Sequence, residues 1–180
     1  MIWGLDTSSR CTGWTAGTGE TRPETGAWTY ENVGTDVGLM LDLFHADLDA
    51  LADRKPPTAI IFESPILTPF DTLLKLRKLY GMTGYVEIWA RRWARRHNVH
   101  VIVQEEDLRT LKTRLTGSHK ADKAEMVRMA KKCGITLPSG KEAEDAADSF
   151  ACWLCAIQHH AKPFLPRWDA LLYGSRGGLL

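Results

Sequence analysis

The chain has 180 residues, 44% hydrophobic and 25% charged, the balance of one soluble domain with length enough for a proper core. No apolar run approaches the roughly 18 residues of a spanning helix, and the opening Met1-Ile2-Trp3-Gly4-Leu5-Asp6 lacks the basic start and cleavage site of a signal peptide. The formal net charge of +1 hides a segregation: Lys75 to Lys132 carries 15 Lys/Arg against 6 Asp/Glu, a net of +9, and the remainder is −8. A basic middle can grip a polyanion while an acidic remainder supplies metal ligands, although two solvated faces would give the same sum.

In chain order, Ile2 to Asp6 reads as a buried strand ending at the polar turn Thr7-Ser8-Ser9-Arg10. Thr12 to Thr18 and Thr25 to Tyr30 read as two more strands, so the chain opens with an antiparallel meander. Val37, Leu41, Phe44, Leu48 and Leu51 form a helical stripe that Lys55-Pro56-Pro57 ends. Thr58 to Glu63 is an unbroken apolar strand closed by an acid, as expected of a central parallel strand. Asp71 to about Asn98 is a long helix. One possible face runs through Leu76, Tyr80, Thr83, Glu87, Ala90 and Ala94, widened by Leu79, Val86, Trp89 and Trp93. Its Gly81 and Gly84 imply close packing or a kink, since each weakens the helix by roughly 1 kcal/mol relative to Ala.

Val99 to Gln104 reads as another buried strand and Glu106 to Thr113 as a short helix, followed by a basic loop, Arg114 to Lys120. Ala121 to Cys133 and Lys141 to about His160 are two further helices, the last strongly amphipathic. Lys162 to Leu180 is expected to be an ordered but irregular tail, which places the domain at 1–160 and the tail at 161–180. The order β-β-β-α-β-α-β-α-α predicts an α/β fold of the RNase H type: a five-stranded mixed β-sheet with helices on both faces.

Four acids stand out. Asp6 and Glu63 close the first and fourth strands, and if those strands are parallel neighbours both arrive at the ligand-binding edge of the sheet. Asp145 and Asp148, at i and i+3 near the start of the last helix, share one face. Each also has an ordinary reading: an Asx turn for Asp6, a solvated strand end for Glu63, helix-dipole partners for the aspartate pair. Together they offer the hard oxygen ligands that a pair of Mg²⁺ ions requires. The cysteines (Cys11, Cys133, Cys152, Cys155) show no paired framework, and the C-x-x-C at Cys152 and Cys155 lies within an apolar helical pattern. They read as buried small hydrophobes in a reducing cytoplasm.

These segments resemble the RuvC family of Holliday junction resolvases. Gly4-Leu5-Asp6-Thr7-Ser8-Ser9-Arg10-Cys11-Thr12-Gly13-Trp14 is similar to its opening strand, turn and second strand, and Phe62-Glu63 to its strand-ending acid. Thr83-Gly84 to Arg91 is similar to its small-residue helix, Gly117 to Lys123 to its basic loop, and Asp145-Ala146-Ala147-Asp148-Ser149 to its closing D-A-A-D segment. The likeness spans about residues 2–160. It departs at Thr7-Ser8-Ser9, where the family usually has Pro-Gly-Ser, in the loop Ser64 to Asp71, and beyond His160. It also suits a phage-type branch cutting a wider range of branched DNA.

The resemblance implies an endonuclease with Asp6, Glu63, Asp145 and Asp148 as catalytic metal ligands, Lys123 as a further catalytic residue that steadies developing negative charge, and Mg²⁺ (or Mn²⁺) as cofactor. It implies DNA contacts from Arg10, Lys120, Lys123 and Arg114, and a homodimer formed through the long helix on a four-way junction, away from any membrane. Arg91 and Arg95 are either a DNA-facing row or the wet side of that helix. Two other readings stand beside it. Ile2 to Thr12 also resembles the phosphate loop of an actin-like, sugar-kinase-fold ATPase of the tRNA threonylcarbamoylation type, and a non-catalytic DNA-binding module would need no metal.

Overall fold

Three strands joined by short turns and two strands reached by helical crossovers make a single mixed sheet in the computed structural model, which describes residues 1–66 and 68–174. Strands β1 (Ile2–Asp6), β2 (Cys11–Gly17) and β3 (Glu24–Thr29) form the antiparallel meander; β4 (Ala59–Glu63) and β5 (Ile102–Glu106) add in parallel, in the order β3-β2-β1-β4-β5. Helices α1 (Val37–Arg54) and α2 (Leu73–His97) cover one face, and α3 (Leu108–Thr116), α4 (Lys123–Lys132), α5 (Glu142–His160) and α6 (Leu165–Tyr173) the other. This is the RNase H-like α/β fold that the element order anticipates. Among the described residues no helix is long and apolar enough to cross a membrane.

The two faces are packed differently. Beneath α1 and α2 the core is aromatic: Trp3 stacks on Trp89 and Trp89 on Trp93, each pair with ring centroids 5.5 Å apart, with Phe44 and Met40 filling in beside them. On the other face α5 lies directly on β1 and β2. A Cβ at Gly4 would overlap the Ser149 carbonyl and the Trp153 amide, and one at Gly13 would overlap the Asp145 carbonyl. Thr15 and Ser149 share a buried hydroxyl bond of 2.9 Å across this seam, and the Cys152 thiol donates to the Leu5 carbonyl at 3.3 Å. All four cysteines are free and buried.

The structure corrects four expectations. Strand β5 starts at Ile102 rather than Val99 and is an edge strand with Ile102 exposed, not a buried one. Residue Asn98, at φ 53°, ends α2 in a left-handed cap, and Val99 N–H donates back to Ala94 O, so the first β-branched residues are spent leaving the helix. Helix α3 continues through Arg114, because Leu111 and Leu115, one turn apart, are both fully buried. The buried face of α2 runs through Leu79, Met82, Val86, Trp89 and Trp93, leaving Tyr80 and Glu87 outside, and the space beside Gly84 is open.

The fourth correction concerns the chain after His160. It is a 3₁₀ turn (Lys162–Phe164) and then α6, with Pro166 in the first turn, where no amide donor is needed. Trp168 is fully buried against Phe150 and Trp153, its indole N–H donating to Gly19 O at 2.8 Å. Trp168 and Leu172 thus belong to the core of the domain rather than to a tail. The last stretch of the expected tail, 175–180, lies outside the described residues.

Candidate metal centre

Strand pairing delivers the first two acids. With β1 parallel to β4 in the register Leu5↔Phe62, Asp6 and Glu63 leave the same edge of the sheet side by side. The turn after Asp6 is closed by Ser8, whose hydroxyl donates to Cys11 O at 2.6 Å, which leaves the Asp6 carboxylate free to face the site. The glycine seam sets the height of α5, and with it the position of the aspartate pair one turn into that helix. Carboxylate oxygens of Asp6, Glu63 and Asp148 come within 4.8 Å of one another. Asp145 lines the same cavity of about 170 Å³, together with Ser8, Leu108 and Met126.

Two cations face the acids. Asp122 caps α4, accepting from the Glu125 amide at 2.8 Å, so Lys123 starts the helix and points back; its ammonium donates to Asp148 Oδ2 at 2.9 Å. Lys112 on α3 also lines the cavity and was not singled out in the sequence. The available signal was its i, i+4 relation to Leu108 in the short helix after β5, which puts both on the side facing the site.

Burial and mutual repulsion dominate the electrostatics. Asp6 is pushed well above the usual carboxylate range, first by burial and then by Glu63, Asp148 and Asp145, with Lys123 opposing. Glu63 is raised to about 7 by burial and the Asp148 charge, against Lys123 and Lys112. Asp148 is raised by burial, with Lys123 opposing through its charge and its hydrogen bond. For Lys123 burial works against the ammonium, but the neighbouring carboxylates, Asp148 first, outweigh it and hold its pKa above the ordinary lysine value. Burial and a hydrogen bond with Asp145 push up the Cys11 thiol beside the site.

Four acids against two lysines leave an excess of negative charge in a small, partly dry space. The buried triad Asp6, Glu63 and Asp148 is a set of hard oxygen donors able to hold a divalent cation.

The remaining sequence candidates are dispersed. Arg10 is exposed two residues beyond Ser8, in a groove shared with Lys75 and Lys78, and Lys120 is exposed in the turn before α4. Arg114 is turned away: its side chain is 12% exposed and pairs with Asp169 of α6 at 2.8 Å, because α3 continues past the position where a loop was expected. Arg91 and Arg95 are exposed near the end of α2, which runs from the carboxyl end of β4 to the amino end of β5. They lie at the edge of the sheet opposite the carboxylates.

No protein-family model matches the chain, and no curated protein matches its sequence. Solved structures do. Thermus thermophilus RuvC is 20% identical, with 92% of this chain and 95% of that one covered and a TM-score of 0.64. The T. thermophilus RuvC in complex with a Holliday junction substrate is 18% identical, with coverages of 92% and 94% and a TM-score of 0.66. The yeast mitochondrial Holliday junction resolvase Ydc2 is 14% identical, with 97% and 81% covered and a TM-score of 0.58. The chain therefore shares the RNase H-like fold of the RuvC-type Holliday junction resolvases.

Proposed function

We propose that the protein is a metal-dependent endodeoxyribonuclease acting on branched DNA, four-way junctions foremost. The observation that carries this reading is the cluster of Asp6, Glu63 and Asp148 oxygens within 4.8 Å, at the edge of an RNase H-like sheet and short of cations. Asp6, Glu63 and Asp148, with Asp145 beside them, would hold Mg²⁺, with Mn²⁺ able to substitute. When bound, the metal supplies Lewis acidity at the scissile phosphate and lowers the pKa of the attacking water.

The chain's own groups do the rest. Lys112 and Lys123 offset the excess negative charge of the acids and stand where charge develops on the phosphate. Arg10 and Lys120 hold the strand on either side by its phosphates. Phe70, 92% exposed on the loop between β4 and α2, offers a stacking face to a base left unpaired at a branch point. Paired cuts require two sites. Leu73, Tyr80 and Ile88 on the outer side of α2 are exposed around the open space at Gly84 and form the patch through which two copies would associate about a twofold axis. Leu79, Val86, Trp89 and Trp93 of the same helix are buried in the chain's own core and take no part in that patch. The ATPase reading leaves the Glu63–Asp148 cluster without a role.

The test is incubation with a labelled four-way junction and a linear duplex of matched sequence, in Mg²⁺ and in EDTA. Junction cleavage in Mg²⁺ alone is expected, and Phe70→Ala should lower the preference for junction over duplex about tenfold, the worth of one stacked base. Cleavage that persists in EDTA, or a metal-loaded protein inert on every branched substrate, overturns the assignment.

A further inference from the structure

Four arginines near the end of α2, Arg91, Arg92, Arg95 and Arg96, are all exposed. Among the described residues none of them takes part in an ion pair, and Glu87, four residues before Arg91, makes none with it. Their spacing sets like charges at i and i+4 twice over, which costs a helix about 0.2–0.5 kcal/mol per pair. The helix dipole does not compensate for all of them, because its effect fades within the last turn and Arg91 and Arg92 lie before that turn. His97 stacks on Trp93 with centroids 3.8 Å apart, so the inner side of the helix end is filled and the arginines flank it. A repulsive cluster without local compensation is matched by an external polyanion. The 91/95 and 92/96 columns repeat at about 5–6 Å, a separation that lets neighbouring guanidiniums engage successive phosphates of a strand, and guanidinium suits phosphate better than ammonium does.

We propose that this end of α2 is a second phosphate-gripping surface, separate from the carboxylate edge, that holds one duplex arm of the branched substrate. The inference rests on the nuclease reading above and adds a distance to it. From Leu73 at the carboxylate edge to the middle of the cluster is some twenty residues of helix, about 30 Å at 1.5 Å per residue, or roughly 9 base pairs of duplex at 3.4 Å each. An arm shorter than that cannot reach the cluster.

The test compares wild type with R91Q/R92Q/R95Q/R96Q in binding, by fluorescence anisotropy in Ca²⁺ over a range of KCl. The four-way junctions carry either 20-bp arms or 6-bp arms closed by a non-nucleotide linker. On long arms the variant should bind at least tenfold more weakly, and the slope of log affinity against log salt should fall by about 2 to 4, since each lost phosphate contact removes about 0.9. On short arms the two proteins should agree within about twofold. An equal loss on both arm lengths places the arginines near the branch and overturns the proposal; no loss on either leaves the cluster to a partner other than DNA and overturns it too. A wild type that binds junctions and cuts them in Mg²⁺ while the variant is unaffected sinks this inference alone. A wild type that does neither sinks the nuclease reading with it.

Discussion

The two faces of the sheet are built on opposite plans. Under α1 and α2, bulky rings fill the gap, and the helices ride on side chains that can re-pack at modest cost. Under α5 the gap is closed, backbone against backbone at Gly4 and Gly13. Asp6 and Glu63 come from the sheet itself, and their partner Asp148 comes from the helix seated on that glycine seam. The aromatic face supplies stability, and the seam supplies position; a change to one should be felt differently from a change to the other.

The largest effect expected separates the site from both faces. Asp6→Asn or Glu63→Gln should lower cleavage by about 10²–10³-fold or more, as losing a principal electrostatic element of a site does. Either should also raise the melting temperature of the metal-free protein, since each removes one of several crowded charges. Calorimetry beside a cleavage assay checks both, and near-normal cleavage by either variant would remove that residue from the site.

Next comes a direct comparison of the faces. Trp89→Ala should cost about 3–5 kcal/mol in a denaturant titration while the folded fraction keeps its Mn²⁺ affinity. Gly4→Ala should cost at least as much, because the added Cβ meets backbone atoms of α5 that cannot give way, and should weaken Mn²⁺ binding by the folded fraction more, because α5 is lifted and Asp148 with it. Calorimetric titration with Mn²⁺ decides, and equal affinity in the two variants would mean that the seam does not set the site.

The smallest effect is a pH dependence. Glu63 is held at about 7, above its unfolded value, so between that value and 7 the folded state binds more protons than the unfolded one. The metal-free protein should therefore lose stability as pH rises through this window, Glu63 contributing about 3 kcal/mol and the raised Asp6 and Asp148 adding to the loss in the same direction. Mg²⁺ competes with those protons, so its stabilising effect should be larger at pH 8 than at pH 6. Melting curves with and without Mg²⁺ at the two pH values measure the difference; an effect of Mg²⁺ that is equal at both would remove Glu63 from the ligand set.

Much of this was legible in the sequence. Apolar runs, turn residues and helical stripes located the five strands and helices α1 to α5, and closing acids on two apolar strands placed Asp6 and Glu63 at one edge. Three things were hidden. The partner of the α2 aromatics is one, because the sequence does not reveal that Trp3 rises from β1 to meet Trp89. Lys112 is an ordinary charge on a short helix until α3 is seen to lie against α5. The segment after His160, interrupted by two prolines, looked irregular, yet its long-range partner, the Gly19 carbonyl, carries no side-chain signal at all.

That long reach has a consequence for the order in which the molecule is made. The bonds pinning α5 and α6 to the sheet join residues far apart in the chain: 134 positions for Thr15–Ser149, 147 for Leu5–Cys152 and 149 for Gly19–Trp168. The aromatic face, by contrast, is nearly complete once α2 has been synthesised, because its buried residues lie between Trp3 and Trp93 and only the partly buried Val101 and Val103 follow. A growing chain can therefore dress one side of the sheet while the glycine strip on the other stays bare to water. Contacts of such separation form late, since loop-closure entropy is lost before they are gained. Until α5 arrives, Asp6 and Glu63 have neither aspartate opposite them, so the candidate metal centre is a product of the last stage of folding.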